Sequence, residues 1–205
     1  MDYLEKIKSM VTEQPKSCSG VHPAKKLACD LCKNPNINLD AKAVVQTFMQ
    51  YRMLREATGF LLCYLEGDCK EHSALQTLVL EINLVGGAHQ VADAILDRDM
   101  FHHFDKCHIA QLCERTGLFE RAFEIYKDCG ENERAVGVLL DKIKDIGRAE
   151  RFAKLVQNSE VTKQVIAARL QQELGSGFSA TTHTMPRTYH ASHTTQLSAG
   201  AATCC

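Results

Sequence analysis

The feature that most constrains the fold of this chain is a recurring pair, an alanine followed three residues later by a large apolar residue. Residues three apart lie on the same face of an α-helix, and a small alanine lets a second helix approach closely. The pairs are Ala57 with Phe60, Ala92 with Ile95, Ala122 with Ile125, and Ala149 with Phe152. The intervals between the alanines are 35, 30 and 27 residues. We interpret each pair as the second helix of a helical hairpin.

An apolar group precedes several of these pairs and predicts the first helix of the same hairpin. The equivalent groups are Val44, Val45 and Phe48; Val79, Leu80 and Ile82; and Ile109, Ala110 and Cys113. Gly87 and Gly117 each stand five residues before the next alanine, where the first helix must end, because glycine adopts the left-handed conformation without a steric penalty. Ala28 with Leu31 resembles a degenerate fifth copy.

A recurrence of about 30 residues, each unit a helix pair, is typical of an α-solenoid. A single short pair cannot bury both of its faces, so the pairs must stack on one another. We therefore predict an all-α fold, a TPR-like superhelix of stacked helical hairpins. The alternative is an irregular helical bundle in which the alanines recur by chance.

The chain is expected to divide into three parts. Residues 1–20 form an N-terminal helix and a linker, and residues 21–174 form the solenoid repeats. Residues 175–205 form a low-complexity tail, in which the segment from Ser176 has no acidic residue and one formal cation, Arg187. We expect this tail to be disordered, because it buries too little apolar surface to offset its ordering entropy. The other interpretation is a non-native end from a truncated or shifted reading frame.

Several helix ends can be predicted from capping residues. Asp40, Ser73 and Asp105 are expected to be N-caps, because their side-chain oxygens can accept hydrogen bonds from the first free N–H groups of a helix. We expect a tight connection around Gly147. The last helix is predicted to run from Ser159 to about residue 174.

The composition argues against several classes of protein. The 24 basic and 25 acidic residues nearly cancel, so the clustered positive field that binds nucleic acid or an anionic membrane is not visible. No apolar run approaches the roughly 20 residues that span a bilayer. The N-terminus, MDYLEKIKSM, begins a charged amphipathic helix and is not a signal peptide. Direct membrane insertion and nucleic-acid binding are therefore not expected.

Ten cysteines could suggest a secreted disulfide scaffold, but five of them fall within helical patterns. These are Cys29, Cys32, Cys63, Cys107 and Cys113. In such positions a free cysteine behaves as a small buried hydrophobe. A reduced, cytoplasmic protein is the better interpretation.

Cys29 and Cys32, with Cys18 and His22 upstream, could be read as a zinc site. Structural zinc uses four tetrahedral ligands, usually in two paired clusters, and the second pair is irregular here. Cys29 and Cys32 also lie three apart on one apolar helical face. We expect neither a zinc site nor a thioredoxin-like redox pair, because no strand precedes the motif.

His102, His103, Cys107 and His108 could be read as a nucleophilic cluster. A Cys–His pair needs a third orienting group and an oxyanion site, and a turn between helices supplies neither. Three further histidines in the predicted tail have no scaffold to hold a metal, namely His183, His190 and His193. We therefore predict a non-enzyme with no catalytic, cofactor-binding or metal-binding residues, and no small-molecule substrate.

Three runs in the middle of the chain carry a resemblance to a known family. They are LQTLVLEINL (Leu75–Leu84), QVADAIL (Gln90–Leu96) and MFHHFDKCHIAQLCERTGLFERAFEIY (Met100–Tyr126). Their order and spacing resemble the distal leg of the clathrin heavy chain. The resemblance extends upstream through residues 23–62 and covers more than half of the chain.

The sequence departs from that family in two ways. Beyond Gly130, residues 135–174 are more similar to a later, proximal-leg repeat, so the chain resembles a shortened or rearranged relative. Full-length clathrin heavy chains also carry an N-terminal β-propeller that captures adaptor peptides and a C-terminal hub that trimerises. No part of this sequence resembles either, so those two activities are not carried over.

The resemblance implies a structural role as a leg segment of a clathrin-type vesicle coat. Expected partners are other clathrin heavy-chain legs and the clathrin light chain. The expected location is cytoplasmic, on the periphery of coated vesicles and coated pits. The alternative is a free-standing helical-repeat adaptor or tethering-complex scaffold that binds a peptide or helix in a groove. An adaptor should concentrate apolar and aromatic residues on one concave surface, whereas a lattice element should expose scattered polar contacts.

Overall fold

The computed structural model describes residues 3–13, 21–34, 37 and 39–177. Within these ranges the protein consists of eleven α-helices with no β-strand, which confirms the all-α solenoid prediction. The helices are α1 Tyr3–Glu13, α2 Pro23–Cys32, α3 Ala41–Gln50, α4 Leu54–Tyr64, α5 Ser73–Val85, α6 His89–Asp97, α7 Lys106–Arg115, α8 Phe119–Asp128, α9 Asn132–Gly137, α10 Ile146–Val156 and α11 Ser159–Gly177. A π-helical segment, Val138–Ile143, continues α9 directly. No described helix is both long and apolar enough to cross a membrane.

The helices pair in chain order into hairpins. The pairs are α1–α2, α3–α4, α5–α6, α7–α8, and α9 with its π-helical segment against α10. Helices of like position also pack on one another, as α1 does on α3, α2 on α4, and α5 on α7. Helix α1, which the sequence analysis grouped with a linker in residues 1–20, packs against both α2 and α3. The proposed division into three parts stays a prediction.

In each hairpin after the first, the first helix buries residues at positions i, i+1 and i+4 of its own sequence. These core triads are Val44, Val45 and Phe48; Val79, Leu80 and Asn83; Ile109, Ala110 and Cys113; and Ala135, Val136 and Leu139. The sequence analysis placed Ile82 at the third position of α5. Ile82 is buried, but helical spacing gives that position to Asn83, which is the polar exception in the series.

The alanines that mark the second helices are all fully buried. They are Ala28, Ala57, Ala92, Ala122 and Ala149. Their apolar companions are buried as well, which includes Leu31 in the predicted degenerate copy. That copy is therefore a true hairpin, formed by α1 and α2.

A left-handed residue ends the first helix of three hairpins at the same distance from the core triad. It lies eight residues after the first triad residue in the pairs Val44 and Arg52, Val79 and Gly87, and Ile109 and Gly117. Here the backbone reverses as in a Schellman motif, because the next N–H bonds back to the third triad residue. The bond from Leu118 N to Cys113 O, for example, is 2.9 Å long. The prediction for Gly117 is confirmed, with φ +85°.

The fifth hairpin, formed by α9, its π-helical segment and α10, contains one extra residue. Its left-handed residue is Lys144, nine positions after Ala135, and Asp145 N bonds to Leu139 O at 3.0 Å. The π-helical segment accommodates the surplus residue, because its wider turn takes up one more residue than an α-helical turn. The predicted tight connection at Gly147 is wrong, since Gly147 lies inside α10 and the reversal occurs at Lys144.

Two of the three predicted N-caps are confirmed. The Asp40 carboxylate accepts hydrogen bonds from Lys42 N and Ala43 N, and the Asp105 carboxylate accepts one from His108 N. The cap at Ser73 is wrong, because a 3₁₀ turn over Lys70–His72 runs directly into α5 and makes Ser73 its first helical residue.

Helix α11 begins as the first helix of a further hairpin would. Its side chains Val161 and Val165 are buried, and the Asn158 side chain caps it by accepting a hydrogen bond from Glu160 N at 2.8 Å. The helix reaches Gly177, three residues past the predicted end. The rest of the predicted tail, residues 178–205, lies outside the described residues.

Candidate functional site

Three buried polar side chains lie where one hairpin meets the next, namely Thr58, Gln76 and Asn83. Asn83 on α5 is 1% exposed and faces Thr58 on α4. The Asn83 amide donates to Thr58 Oγ1 at 2.9 Å and to Val79 O at 2.7 Å, while the Thr58 hydroxyl donates to Asn83 Oδ1 at 3.1 Å. This reciprocal pair satisfies both side chains and fixes α4 against α5, since any slip would leave buried polar groups unpaired.

A second buried polar side chain, Gln76, connects two loops that are distant in sequence. Its Nε2 donates to Asp68 Oδ1 at 2.8 Å and to Cys69 O at 3.3 Å, in the loop after α4. Its Oε1 accepts a hydrogen bond from His103 N at 2.9 Å, in the loop before α7. Gln76 is fully buried, so these three hydrogen bonds satisfy its amide within the protein.

His102 completes this connection, which we name the loop clamp (Asp68, Gln76, His102 and His103). Its backbone N–H donates to Asp68 Oδ1 at 3.2 Å, and its Nδ1 lies 2.7 Å from Asp68 Oδ2. The hydrogen bond from His102 holds the pKa of Asp68 below its usual range, against a smaller opposing effect of desolvation. The clamp therefore depends on an ionised Asp68.

Arg121 on α8 joins its hairpin to the preceding one through a fork of ion pairs. Its Nε donates to Asp93 at 2.6 Å and its Nη2 to Asp97 at 2.6 Å, both on α6. Its Nη1 donates to Glu124 at 3.1 Å, one turn further along α8. Hydrogen bonds to Asp93 and Asp97 raise the pKa of Arg121. The planar guanidinium suits such a multiple contact better than a lysine would.

The next junction uses an arginine in a similar way. Arg148 on α10 bonds to Glu120 on α8, with nitrogen–oxygen distances of 2.8 Å. Its guanidinium also lies 5.1 Å from the ring centre of Phe123, and that ring meets Phe152 edge to face at 5.4 Å. A cation over an aromatic face and an edge-to-face ring pair both have preferred geometries. They restrict the angle between α8 and α10.

These junctions share a property that matters for function. Each one joins two consecutive hairpins through directional contacts, and the groups involved position helices and do not bring a nucleophile and a base together. The arrangement holds neighbouring helices in defined relative positions, through contacts spread along the chain.

Four side chains of these junctions were not predicted from the sequence: Thr58, Gln76, Asn83 and Arg121. The sequence does contain an indication for one of them. Asn83 is a polar residue at a triad position that is otherwise apolar, and a polar group there requires a partner in the core. Arg121 had no such signal, because two of its three acidic partners, Asp93 and Asp97, lie on a different helix.

The residues considered for zinc do not form a metal site among the described residues. The side chains of Cys29 and Cys32 on α2 interact with Cys63 on α4, and burial is the main cause that raises the pKa of Cys29 to about 12 and of Cys32 to about 11. His22 uses Nδ1 to accept a hydrogen bond from Ala24 N at 3.2 Å, as the cap of α2. Cys18 lies outside the described residues.

The histidine and cysteine cluster is dispersed by the fold. His102 pairs with Asp68, His108 Nε2 lies 3.8 Å from Glu81, and Cys107 Sγ lies 3.7 Å from Cys129 Sγ. No group of three or more His, Cys, Asp or Glu side chains in the described part of the chain could hold a metal ion. The three tail histidines lie outside it. Of the five cysteines expected to be buried, Cys113 is buried and the other four are half-buried.

A concave surface within the repeats is lined by charge. One groove of about 420 Å³ lies between α7, α8 and the π-helical segment. Arg115, Arg134 and Lys142 line it together with Glu114 and Asp141. A groove with both signs of charge differs from the apolar, aromatic groove expected of an adaptor that captures a helix.

Comparison with known proteins decides the family. A family model described as "Region in Clathrin and VPS" matches residues 36–174, about two thirds of the chain. The chain belongs to the clathrin and VPS repeat family. The matched range contains the hairpins from α3 to α10 and most of α11, so this family accounts for nearly all of the described stack.

Named clathrin heavy chains match parts of this clathrin-family chain. Drosophila melanogaster "Clathrin heavy chain" is 40% identical over 135 residues, which are 66% of this chain and 8% of the relative. Schizosaccharomyces pombe "Probable clathrin heavy chain" is 50% identical over 103 residues, 50% of this chain and 6% of the relative. Homo sapiens "Clathrin heavy chain 2" is 47% identical over 93 residues, 45% and 6% respectively. The chain thus spans less than a tenth of the length of these relatives.

Proposed function

We propose that this chain is a leg segment of a clathrin-type vesicle coat and contributes to lattice assembly in vesicle-mediated transport and endocytosis. The observation that carries the proposal is that one family match, residues 36–174, coincides with a stack of hairpins whose relatives are named clathrin heavy chains. The proposed location is cytoplasmic, on coated vesicles and coated pits. The proposed role is structural, without catalysis.

The physical basis is a stack with defined junctions and a charged surface. Neighbouring hairpins are fixed by the Thr58–Asn83 pair, the loop clamp, the Arg121 fork and the Arg148 contacts. A leg held in this way presents the same surface to each neighbour in a lattice. Many weak lateral contacts then add up, so that avidity supplies what no single contact could. The proposed partners are other heavy-chain legs and the clathrin light chain.

Co-sedimentation with purified coated vesicles tests this function. The tagged full chain should pellet with coats and be released by a buffer that dissociates them, whereas an unrelated protein of equal mass should stay in the supernatant in both buffers. A chain that stays soluble and captures a discrete peptide instead would contradict the lattice role and support the adaptor alternative.

Two charge reversals make the test specific to the junctions. Arg121→Glu places a negative charge against Asp93, Asp97 and Glu124, so we expect it to weaken the α6–α8 junction and lower the pelleted fraction severalfold. The matched control is Arg115→Glu, the same change of charge at an exposed groove position. Equal losses for both variants would point to general surface charge and away from the junction.

A further inference from the structure

Two thiols meet at the open end of the central hairpin. Cys107 is the second residue of α7, Cys129 directly follows α8, and their sulfur atoms are 3.7 Å apart. The Cys107 thiol donates to Cys129 Sγ, and the Cys129 thiol donates to Tyr126 O at 3.5 Å. Both residues are half-buried, so a small reagent can reach the sulfur atoms.

The position of this pair means that a bond between the two sulfur atoms would affect the geometry of the whole hairpin. Helices α7 and α8 are already connected at one end by the turn at Gly117. Cys107 and Cys129 are 22 residues apart in sequence and lie at the other end, immediately before the chain turns into α9 at Gly130. A bond between them would close the hairpin at both ends. The angle between α7 and α8 would then be restrained covalently.

We propose that Cys107 and Cys129 are a thiol modification site, which a hydroperoxide converts into a reversible intramolecular disulfide. The two sulfur atoms are already in van der Waals contact, and a disulfide requires them to approach to about 2.05 Å. Both sulfur atoms lie at the ends of rotatable side chains, so rotation about the Cα–Cβ bonds is the movement that the proposal requires.

The reaction balances with the hydroperoxide as the oxidant. One deprotonated sulfur attacks a peroxide oxygen, so an S–O bond forms, the O–O bond breaks, and with hydrogen peroxide the leaving hydroxide takes up a proton to become water. The second sulfur then attacks the resulting sulfenic acid, the S–S bond forms, and the S–O bond breaks to release a second water. The two sulfurs supply two electrons, and both thiol protons end in water.

Other cysteines of the described chain provide internal comparisons. Cys113 lies on the same helix, six residues after Cys107, but it is fully buried, and burial raises its pKa to about 12. Cys69 is exposed, and its thiol contacts the backbone oxygen of Gly67 at 3.6 Å. Added hydroperoxide should therefore oxidise Cys69 without forming a disulfide there, and should leave Cys113 unchanged.

The test maps disulfides in the full chain after brief treatment with hydrogen peroxide and alkylation of the remaining thiols. Trypsin releases Cys107 in the peptide 107–115 and Cys129 in the peptide 128–134. Because the first peptide also contains Cys113, the Cys113→Ser variant assigns the bond without ambiguity. We expect the two peptides to be linked in wild type and in Cys113→Ser, to be separate in Cys107→Ser and Cys129→Ser, and to be released by dithiothreitol.

A second readout does not depend on the serine variants. Closing the hairpin should raise the thermal unfolding midpoint of the oxidised wild type by about 5 °C over the reduced protein, and the rise should disappear on reduction. The proposal is overturned if Cys107 and Cys129 are both recovered alkylated while Cys69 has reacted. It is also overturned if either one is found mainly bonded to a different cysteine.

Discussion

Asn83 occupies a triad position that carries an apolar side chain in the other hairpins, namely Phe48, Cys113 and Leu139. Burying a polar amide costs free energy, and Thr58 offsets this cost because its hydroxyl bonds to both the amide oxygen and the amide nitrogen of Asn83. A polar pair of this kind specifies alignment more strictly than two apolar side chains would, since apolar contacts tolerate small shifts and hydrogen bonds do not. The α4–α5 junction thus has a defined register.

Asn83→Ala should lower the free energy of unfolding by about 1–3 kcal/mol, because it leaves a small cavity and removes the partner of Thr58. Thr58→Val should cost a comparable amount. The double variant Thr58→Val with Asn83→Leu removes both polar groups and restores volume, so we expect it to lie within about 1 kcal/mol of wild type. Urea denaturation of the four proteins measures the coupling, and strictly additive losses would contradict the pair.

Two glycines in neighbouring hairpins should respond oppositely to alanine. Gly117 has φ +85°, where a Cβ is disfavoured, so Gly117→Ala should destabilise the protein by about 1–2 kcal/mol. Gly137 lies in α9, and an added Cβ there would meet nothing within 4 Å, so Gly137→Ala should stabilise it by about 0.5–1 kcal/mol. Thermal unfolding of both variants provides the comparison, and a shift in the same direction would refute the argument.

The loop clamp shows how one element is attached to another through a charged group. Since the folded pKa of Asp68 is lowered, its carboxylate stabilises the fold at pH values above the unfolded pKa of 3.8. This contribution is lost as the pH falls through the lower, folded pKa. The stability added by the clamp is therefore complete at neutral pH and disappears in acid.

Asp68→Asn should be less stable than wild type at pH 5, and the difference should shrink between pH 4 and pH 2. Urea denaturation at several pH values measures it. In a His102→Ala background, which removes the main cause of the pKa shift, the same substitution should show a much smaller dependence on pH. A difference that stays constant with pH in both backgrounds would rule out the ionised clamp.

The π-helical segment distinguishes the fifth hairpin from the others. The Schellman-type reversal is retained at its end, but the closing hydrogen bond from Asp145 to Leu139 spans one residue more than the bond from Leu118 to Cys113. The surplus residue therefore lies inside the helix and not in the turn. Its cost is a poorer hydrogen-bond geometry over Val138–Ile143.

Deleting one exposed residue from this segment, Asp141, should restore the spacing of the other hairpins and keep the helical content measured by circular dichroism. The matched control is deletion of the exposed Arg115 from α7, which has no surplus residue. That deletion should shift the Gly117 reversal out of register with its triad and lower the unfolding midpoint by 5 °C or more, on the order of 2 kcal/mol. Equal effects of the two deletions would contradict this interpretation.

At the scale of the whole chain, the repeating part of the fold was predictable because helical periodicity and small residues are local properties of sequence. Residues within one helical turn are enough to predict the buried alanines of the second helices, the caps at Asp40 and Asp105, and the reversal at Gly117. What could not be predicted depends on contacts between hairpins. Arg121 bonds to a different helix, and Ser73 lost its capping role to a 3₁₀ turn over Lys70–His72 whose stability depends on surrounding loops.

The same limit applies to the candidate site. Sequence patterns drew attention to clusters such as Cys29 with Cys32, because cysteine and histidine are the residues of metal and redox chemistry. The junctions use amides, hydroxyls and arginines, which are common in every helix. Their role appears only when the partner helix is in place, as Gln76 shows by joining two loops on either side of α5 and α6.

The distance between a core triad and the left-handed residue that follows it is eight residues in three hairpins and nine in the hairpin with the π-helical segment, and this regularity has an evolutionary consequence. The length of each first helix is set by residues of that helix, from Val79 to Gly87 or from Ile109 to Gly117, and not by the neighbouring hairpins. A gene encoding such a chain can therefore gain, lose or exchange whole hairpins by recombination, and every remaining hairpin still folds to its correct length. Only the side chains at the new boundary have to adapt.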